Sequence, residues 1–168
     1  MEIIYDRAFN SNEWFVILTL AGGVILMVLL PRCLSALESM ACFLYGTYWG
    51  MFFDHTISVV PWDFYDVNDR SHYQFMDFLS YLSYGPFSYF FIYFYVRFQV
   101  NGACKHLLFL ACWVLISAGI ELLSLHAHVF HYEKGYQSYW SPNTYLLTQL
   151  LKLAFFNIHL RLNKKLTS

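Results

Sequence analysis

Three ionisable residues occur inside or at the edge of long apolar segments, where a charge is costly. Glu121 and Lys152 lie within such segments, and Asp54 lies at the end of another. A charge in hydrocarbon costs roughly 2.5–3.5 kcal/mol or more, so it usually faces other helices and has a partner. On helices, Glu121 and Lys152 would lie about 6 and 12 Å below one membrane surface. We therefore expect the two side chains to face each other, directly or through water.

Smaller polar residues extend these charges into helical stripes. Ser117 precedes Glu121 by four residues, and Thr148 precedes Lys152 by four. Residues four apart share one face of an α-helix. With Asp54 they form a predicted intramembrane polar cluster. Such a cluster is typical of an ion pair that fixes helix register, or of a relay for protons or ions.

A stripe of small residues leads to Asp54. Cys42, Gly46, Gly50 and Asp54 follow one another at intervals of four. Gly46 and Gly50 form a small-xxx-small pair, which lets another helix backbone approach closely. The pair predicts ordinary helix packing or a dimer seam. Asp54 is expected to point at a neighbouring helix and not at lipid.

Histidines form the candidate metal site. His126, His128 and His131 cluster in the segment HAHVFH, and His55 is expected on the same side of the membrane. Imidazole together with carboxylate suits zinc or another divalent transition metal. On a helix only His128 and His131 would share a face. The alternative is that these histidines cap a helix and contact acidic loop residues; no other cofactor site and no catalytic residue is indicated.

The composition indicates that lipid surrounds these residues. Of the 168 residues, 58% are hydrophobic, 21% are aromatic and 12% are charged. Soluble domains usually have about 25% charged residues, so a soluble surface would be too apolar here. The net charge of −1 offers no basic surface for nucleic acid. The sequence therefore predicts an integral membrane protein.

Five segments are apolar enough to cross a bilayer, which needs about 20 residues. They are residues 14–30, 39–60, 78–98, 107–125 and 144–160. We expect residues 1–168 to form a single all-α domain, a polytopic transmembrane helical bundle. Residues 54–77 would form an acidic and aromatic loop, and residues 161–168 a basic tail.

Basic residues are divided unequally between the two sides of this bundle. One side has Arg32, Arg97, Lys105, Arg161, Lys164 and Lys165, and the other has Arg7, Arg70 and Lys134. Loops rich in Lys and Arg stay in the cytoplasm. The N-terminus is therefore predicted outside and the C-terminus in the cytoplasm, with the loop over 54–77 extracytoplasmic.

Three sequence segments are similar to those of a known family. They read DHTISVVPWDFYDVNDR, MDFLSYLSYGPFSYFFIYFY and VFHYEKGYQSYWSPNTYLL. With the intramembrane Glu121, residues 45–155 resemble a family of small uncharacterised multi-pass membrane proteins from Bacillus-like, spore-forming Gram-positive bacteria. The chain departs from that pattern at Tyr136, where Trp is expected, and at Lys152. The resemblance implies a bacterial plasma-membrane location and no established activity.

These observations favour a non-enzymatic multi-pass membrane protein that acts as an accessory, sensor or structural component. Its partners would be the lipid bilayer and a homo-oligomer or larger membrane complex, because five spans are few for a monomeric transporter. One alternative is a small transporter or channel subunit for protons, cations or a small amphiphile. The other is a metal-dependent membrane enzyme that uses the outer His and Asp residues.

Overall fold

A computed structural model describes residues 3–6 and 8–166, with side chains described as far as Asn157. The described chain is mostly helical, which confirms the predicted all-α class. Its helices are α1 (Ser11–Leu29), α2 (Ala36–Asp54), α3 (Phe75–Arg97), α4 (Ala103–His126) and α5 (Ser141–Leu166). Two short strands, β1 (Tyr65–Val67) and β2 (Phe130–Tyr132), and a 3-10 turn (Ser138–Trp140) lie between them.

Side-chain caps fix where the first two helices begin. The Asn10 side chain accepts a hydrogen bond from within the first turn of α1, and Glu13 accepts one from the Asn10 backbone N–H. Ser35 and Glu38 form the same reciprocal pair at the start of α2. These bonds satisfy backbone N–H groups that have no partner inside the helix. The predicted spans began at the first apolar residues, 14 and 39. The helices begin about one turn earlier, at Ser11 and Ala36, because the capping residues are polar.

The predicted second span, 39–60, is wrong at its carboxyl end. The helix stops at Asp54, and residues 55–62 form turns. Pro61 disfavours helical backbone at Val60, so an α-helix cannot continue smoothly through this position. The last helix is longer than predicted. Helix α5 extends to Leu166 and includes residues that were predicted to form the basic tail. Residues 167–168 of that tail lie outside the described residues.

The loop predicted over 54–77 contains ordered strand structure. Strand β1 pairs antiparallel with β2, and Asp66 lies opposite His131. The N-terminal segment joins them, since the Tyr5 N–H donates to the Asp69 carbonyl oxygen at 2.8 Å. We call β1, β2 and residues 3–6 the ribbon. It lies at the end of the bundle where α1, α3 and α5 begin, and this is called the ribbon end.

Helix α3 is the central helix of a three-helix unit with α1 and α2. A Cβ atom at Gly46 would overlap the carbonyl oxygen of Tyr84, and one at Gly50 would overlap the Tyr84 ring. On the other side of α3, a Cβ at Gly23 would lie 2.6 Å from the Cβ of Pro86. The Gly46–Gly50 pair therefore packs α2 against α3 within one chain. The helices α4 and α5 pack against each other and form a separate hairpin.

Apolar clusters join the three-helix unit and the hairpin at both ends. Away from the ribbon, the Phe91 ring of α3 lies 5.1 Å from the Phe109 ring and 5.5 Å from the Trp113 ring of α4. At the ribbon end, Val16 and Val129 belong to a second buried cluster. The space between these two clusters is not filled by side chains, and it forms a cavity.

Two helices of the described chain, α1 and α4, are long and apolar enough to cross a membrane. This indicates membrane association. The other three helices are less apolar by composition. Helices α2 and α3 carry more tyrosine, glycine, serine and threonine, and α5 carries more amide and basic residues.

We expect Gly46→Ala to destabilise the protein by roughly 1–3 kcal/mol, the usual cost of overpacking a close contact. The added methyl group would meet the α3 backbone, which cannot move aside as a flexible side chain could. Gly119→Ala is the matched control, because Gly119 lies in α4 with no atom within 4 Å of the added Cβ. Thermal unfolding in detergent measures both. Equal melting temperatures for Gly46→Ala and wild type would contradict the close packing.

Candidate functional site

A cavity of about 600 Å³ lies between the three-helix unit and the α4–α5 hairpin. This volume is in the range of about 300–1,000 Å³ that is usual for small-molecule sites. All five helices and the ribbon contribute to its wall, which is mostly apolar. Its aromatic lining consists of six tyrosines together with Phe15, Trp49, Phe53, Phe87, Phe90 and Phe130. The cavity is therefore a candidate binding site.

Eight polar side chains in the cavity wall are buried, among them an acid, an amine and an amide. Glu121, Lys152, Gln149 and Ser88 are 6%, 7%, 3% and 1% exposed. The Glu121 Oε2, Gln149 Oε1 and Ser88 Oγ atoms have no hydrogen-bond partner among the described residues. Leaving a buried polar atom without a partner costs about 1–3 kcal/mol. These atoms therefore mark places where a ligand or water molecule would be stabilised.

The Glu121 carboxylate connects three elements near the ribbon end. Its Oε1 atom accepts a hydrogen bond from the Tyr132 hydroxyl of β2 at 2.6 Å, and another from the Ser141 hydroxyl at the start of α5. The Ser141 Oγ also lies 2.9 Å from the hydroxyl oxygen of Tyr136. Glu121 thus holds the hairpin and the ribbon together through one oxygen, while its second oxygen has no partner among the described residues.

Lys152 lies deeper in the bundle, against aromatic rings. Its Nζ atom is 4.8 Å from the centre of the Phe91 ring and 5.7 Å from that of Tyr45. One turn earlier on α5, Gln149 Nε2 donates to Ser117 Oγ at 3.3 Å. Thr148 also lines the cavity, but its hydroxyl donates to carbonyl groups of its own helix. Within the described chain no carboxylate pairs with the Lys152 ammonium.

The expected direct pairing of Glu121 with Lys152 is therefore not formed, although both side chains line the same cavity. Helix α5 begins at Ser141 and not at residue 144. Lys152 is thus 11 residues from the helix start (152 − 141), which corresponds to about 16 Å along the axis. The Glu121 carboxylate lies at the level of Ser141, to which it is bonded. The vertical separation is too large for the Lys stem to span.

Asp54 lies outside this cavity. It accepts a hydrogen bond from the Tyr81 hydroxyl of α3, so it faces a neighbouring helix at the ribbon end. It is not among the residues that line the cavity. The predicted polar cluster of Asp54, Glu121 and Lys152 is therefore divided between two places.

The candidate metal ligands are also divided. The His131 ring stacks on Tyr5 with 3.8 Å between centroids, and it lies 6.5 Å from the His128 ring. His126 is the last residue of α4, whereas His55 caps the carboxyl end of α2. Within residues 3–6 and 8–166, no three His, Cys, Asp or Glu side chains lie close enough to hold a metal ion. Helical spacing does not apply to His128 and His131, because α4 ends before them.

Asp66 of the ribbon and Asp77 at the start of α3 are buried and accept hydrogen bonds. The Tyr5 hydroxyl lies 2.8 Å from an Asp66 oxygen and 3.0 Å from a Glu133 oxygen. Asn68 Nδ2 donates to Asp77 at 2.7 Å. Burial raises the pKa of Asp66 above its usual range and raises the pKa of Asp77 to about 6. The bond from Asn68, which directly follows β1, to Asp77 fixes the ribbon on the start of α3.

Sequence inspection missed several residues of the cavity wall. Ser80, Tyr84 and Ser88 recur every four residues on α3, and all three line the cavity. That stripe was a usable signal, but the many aromatic residues of α3 obscured it. Tyr132 and Ser141 gave no signal, because their contact with Glu121 depends on the fold of the ribbon.

Comparisons with known proteins add no relative. No family model matches the chain, and neither a curated protein nor a solved structure is similar enough to match it. The interpretation of the cavity therefore depends on its own chemistry.

A double-mutant cycle tests the separation of Glu121 and Lys152. We expect Glu121→Gln and Lys152→Met to change the free energy of unfolding additively, with a coupling energy below about 0.5 kcal/mol, because distant sites act independently. The same cycle on Glu121→Gln with Tyr132→Phe is the control, and it should show clear coupling. Unfolding in detergent measures both cycles. Coupling between Glu121 and Lys152 as large as in the control would contradict the geometry.

Proposed function

We propose that the protein is a five-span membrane protein whose central cavity binds a small amphiphile, in the role of a non-enzymatic accessory or sensor component. The observation that carries this proposal is the cavity itself, with its apolar wall and its buried, unpartnered polar atoms. An amphiphile supplies apolar surface for such a wall and a polar group for such atoms. The five spans and their orientation belong to the same proposal.

Exposed apolar side chains on α2 and α5 support the additional spans. On α2, Leu37, Met40 and Leu44 are more than half exposed. On α5, Leu147 and Leu150 are 55% and 46% exposed. Extended apolar faces of this kind are rare on soluble monomers. Both helices have at least 19 residues, or about 28 Å, which approaches the hydrocarbon thickness of a bilayer.

The third span is supported by the position of α3 in the bundle. Its Ser88, Tyr89 and Tyr93 side chains are buried against other parts of the protein. A mean hydropathy calculated over the whole helix counts these polar side chains as if they faced lipid. A central helix can therefore cross the membrane although its composition is only moderately apolar.

Binding is favoured over catalysis by the spacing of the polar groups. The Glu121 carboxylate is bonded to Ser141 at the start of α5, and Lys152 lies about three helical turns further along that helix. Acid–base catalysis needs groups within about 3 Å of the same reacting atoms. The cavity offers separate polar positions along an apolar wall, which suits one elongated ligand.

A transporter or channel subunit is the second candidate. It is favoured by the presence of both Glu121 and Lys152 on one cavity wall, because buried ionisable residues commonly line transport pathways. This candidate requires the bound molecule to cross the membrane. For either role we propose a bacterial plasma membrane, which the resemblance of the sequence supports, and an oligomer or larger complex, which the small number of spans supports.

Reporter fusions test the five spans. A reporter that is active only in the cytoplasm should be active after Ser168 and inactive when inserted between Asp63 and Phe64, since these positions would lie on opposite sides of the membrane. An insertion between Asn101 and Gly102, in the α3–α4 connection, is the control and should be active. Activity at both Ser168 and the Asp63 insertion would contradict the proposed topology.

Filling the cavity should abolish ligand binding. Gly22 lines the cavity, and no atom lies within 4 Å of a Cβ built on it. Gly22→Leu therefore places a side chain in open space, and we expect it to reduce binding of radiolabelled dodecanoate and dodecanol in phospholipid nanodiscs at least tenfold, or about 1.4 kcal/mol. Gly119→Leu on the outer face of α4 is the matched control.

Two outcomes test the cavity as the binding site, and a third separates the two candidate functions. Binding that is lost only with Gly22→Leu supports the cavity as the site. Equal binding by wild type, Gly22→Leu and Gly119→Leu contradicts it. Probe movement across sealed vesicles that depends on the protein and is lost with Gly22→Leu would favour the transporter over the accessory role.

A further inference from the structure

Lys152 is a buried amine, and no carboxylate pairs with it among the described residues. The residue is 7% exposed, and the closest groups identified around its ammonium are the faces of Phe91 and Tyr45. Contact with an aromatic face stabilises a cation, but by less than full removal from water costs. An anion that entered the cavity would supply the missing charge.

Two further buried polar atoms belong to residues that line the same cavity. Ser88 Oγ of α3 and Gln149 Oε1 of α5 are buried and have no hydrogen-bond partner among the residues described. Gln149 precedes Lys152 by three residues, so both lie on one face of α5. The Lys152 ammonium and the Ser88 hydroxyl are donors, which suit the oxygen atoms of a carboxylate or phosphate. The Gln149 oxygen can accept from a water molecule or hydroxyl bound to such a group.

The opposite end of the cavity has the opposite chemistry. There Glu121 lines the cavity, and its carboxylate has a buried oxygen with no hydrogen-bond partner among the described residues. A second anion near this oxygen would be repelled, and the hydroxyls of Tyr132 and Ser141 are already engaged by Glu121. The two ends therefore discriminate between the two orientations of a charged amphiphile.

We infer that the cavity takes a single-chain amphiphile with an anionic head, a carboxylate or a phosphate, seated at Lys152. The alkyl chain lies against the aromatic wall that includes Trp49 and Phe87. This inference rests on the proposed function and adds the chemical class and orientation of the ligand.

Binding of four probes with one chain length tests the head group. The probes are dodecanoate, dodecyl phosphate, dodecanol and dodecyltrimethylammonium, measured with the full chain in phospholipid nanodiscs. We expect wild type to bind at least one anionic probe about tenfold or more tightly than dodecanol. A charge-assisted hydrogen bond between Lys152 and the anionic head would provide a difference of this size. The ratio between dodecanoate and dodecyl phosphate identifies which anion the site prefers.

Lys152→Met should remove this preference while dodecanol binding stays within about threefold of wild type. Methionine keeps an unbranched apolar stem and removes a charge that must be buried, so the variant should fold; its melting temperature is measured in parallel. Lys152→Arg should retain the preference. Lys134→Met is the control, because Lys134 lies at the surface and pairs with Asp63 at 3.0 Å.

The outcomes distinguish this inference from the proposed function. Equal binding of dodecanoate, dodecyl phosphate and dodecanol would overturn the anionic head and leave the amphiphile site in place. An anionic preference that survives in Lys152→Met, or tighter binding of the cationic probe, would also overturn it. Failure of all four probes to bind would overturn the proposed function itself.

Discussion

The close approach of α2 to α3 at Gly46 determines where the other helices can lie. With no side chain at Gly46, the α2 backbone reaches the carbonyl of Tyr84, and Gly23 of α1 makes room for Pro86 in the same way. These contacts cover two sides of α3. The α4–α5 hairpin lies across the cavity from α3, and Ser80, Tyr84 and Ser88 of α3 line this cavity beside the contact with α2.

Contacts at both ends fix the hairpin on the rest of the bundle. At one end, Trp113 packs on Phe91 of α3. At the ribbon end, Glu121 accepts hydrogen bonds from Tyr132 and Ser141. A helix pair that is held at both ends can leave space in the middle without losing its position. The cavity is therefore compatible with a stable bundle, and its polar wall residues are held in defined places.

The sequence predicted features that depend on one helix and missed those that depend on two. Spacing by four residues correctly grouped Gly46 with Gly50 on a packing face, because helix geometry is local. It also grouped Ser117 with Glu121, and both are buried. It could not give the level at which two helices meet, so Glu121 and Lys152 were expected in contact. The ribbon was missed because Asp66 and His131 are far apart in the chain and meet only through strand pairing.

The separation of Glu121 from Lys152 also bears on why both charges are present. A buried ion pair is often no more stable than apolar residues of similar volume, so buried charges contribute little to stability even when they are paired. Here the two groups lie on one cavity wall without pairing, which is less favourable still. Glu121 recovers part of this cost through Tyr132 and Ser141. Lys152 has aromatic faces around it, and its charge is best explained by an anion that enters the cavity.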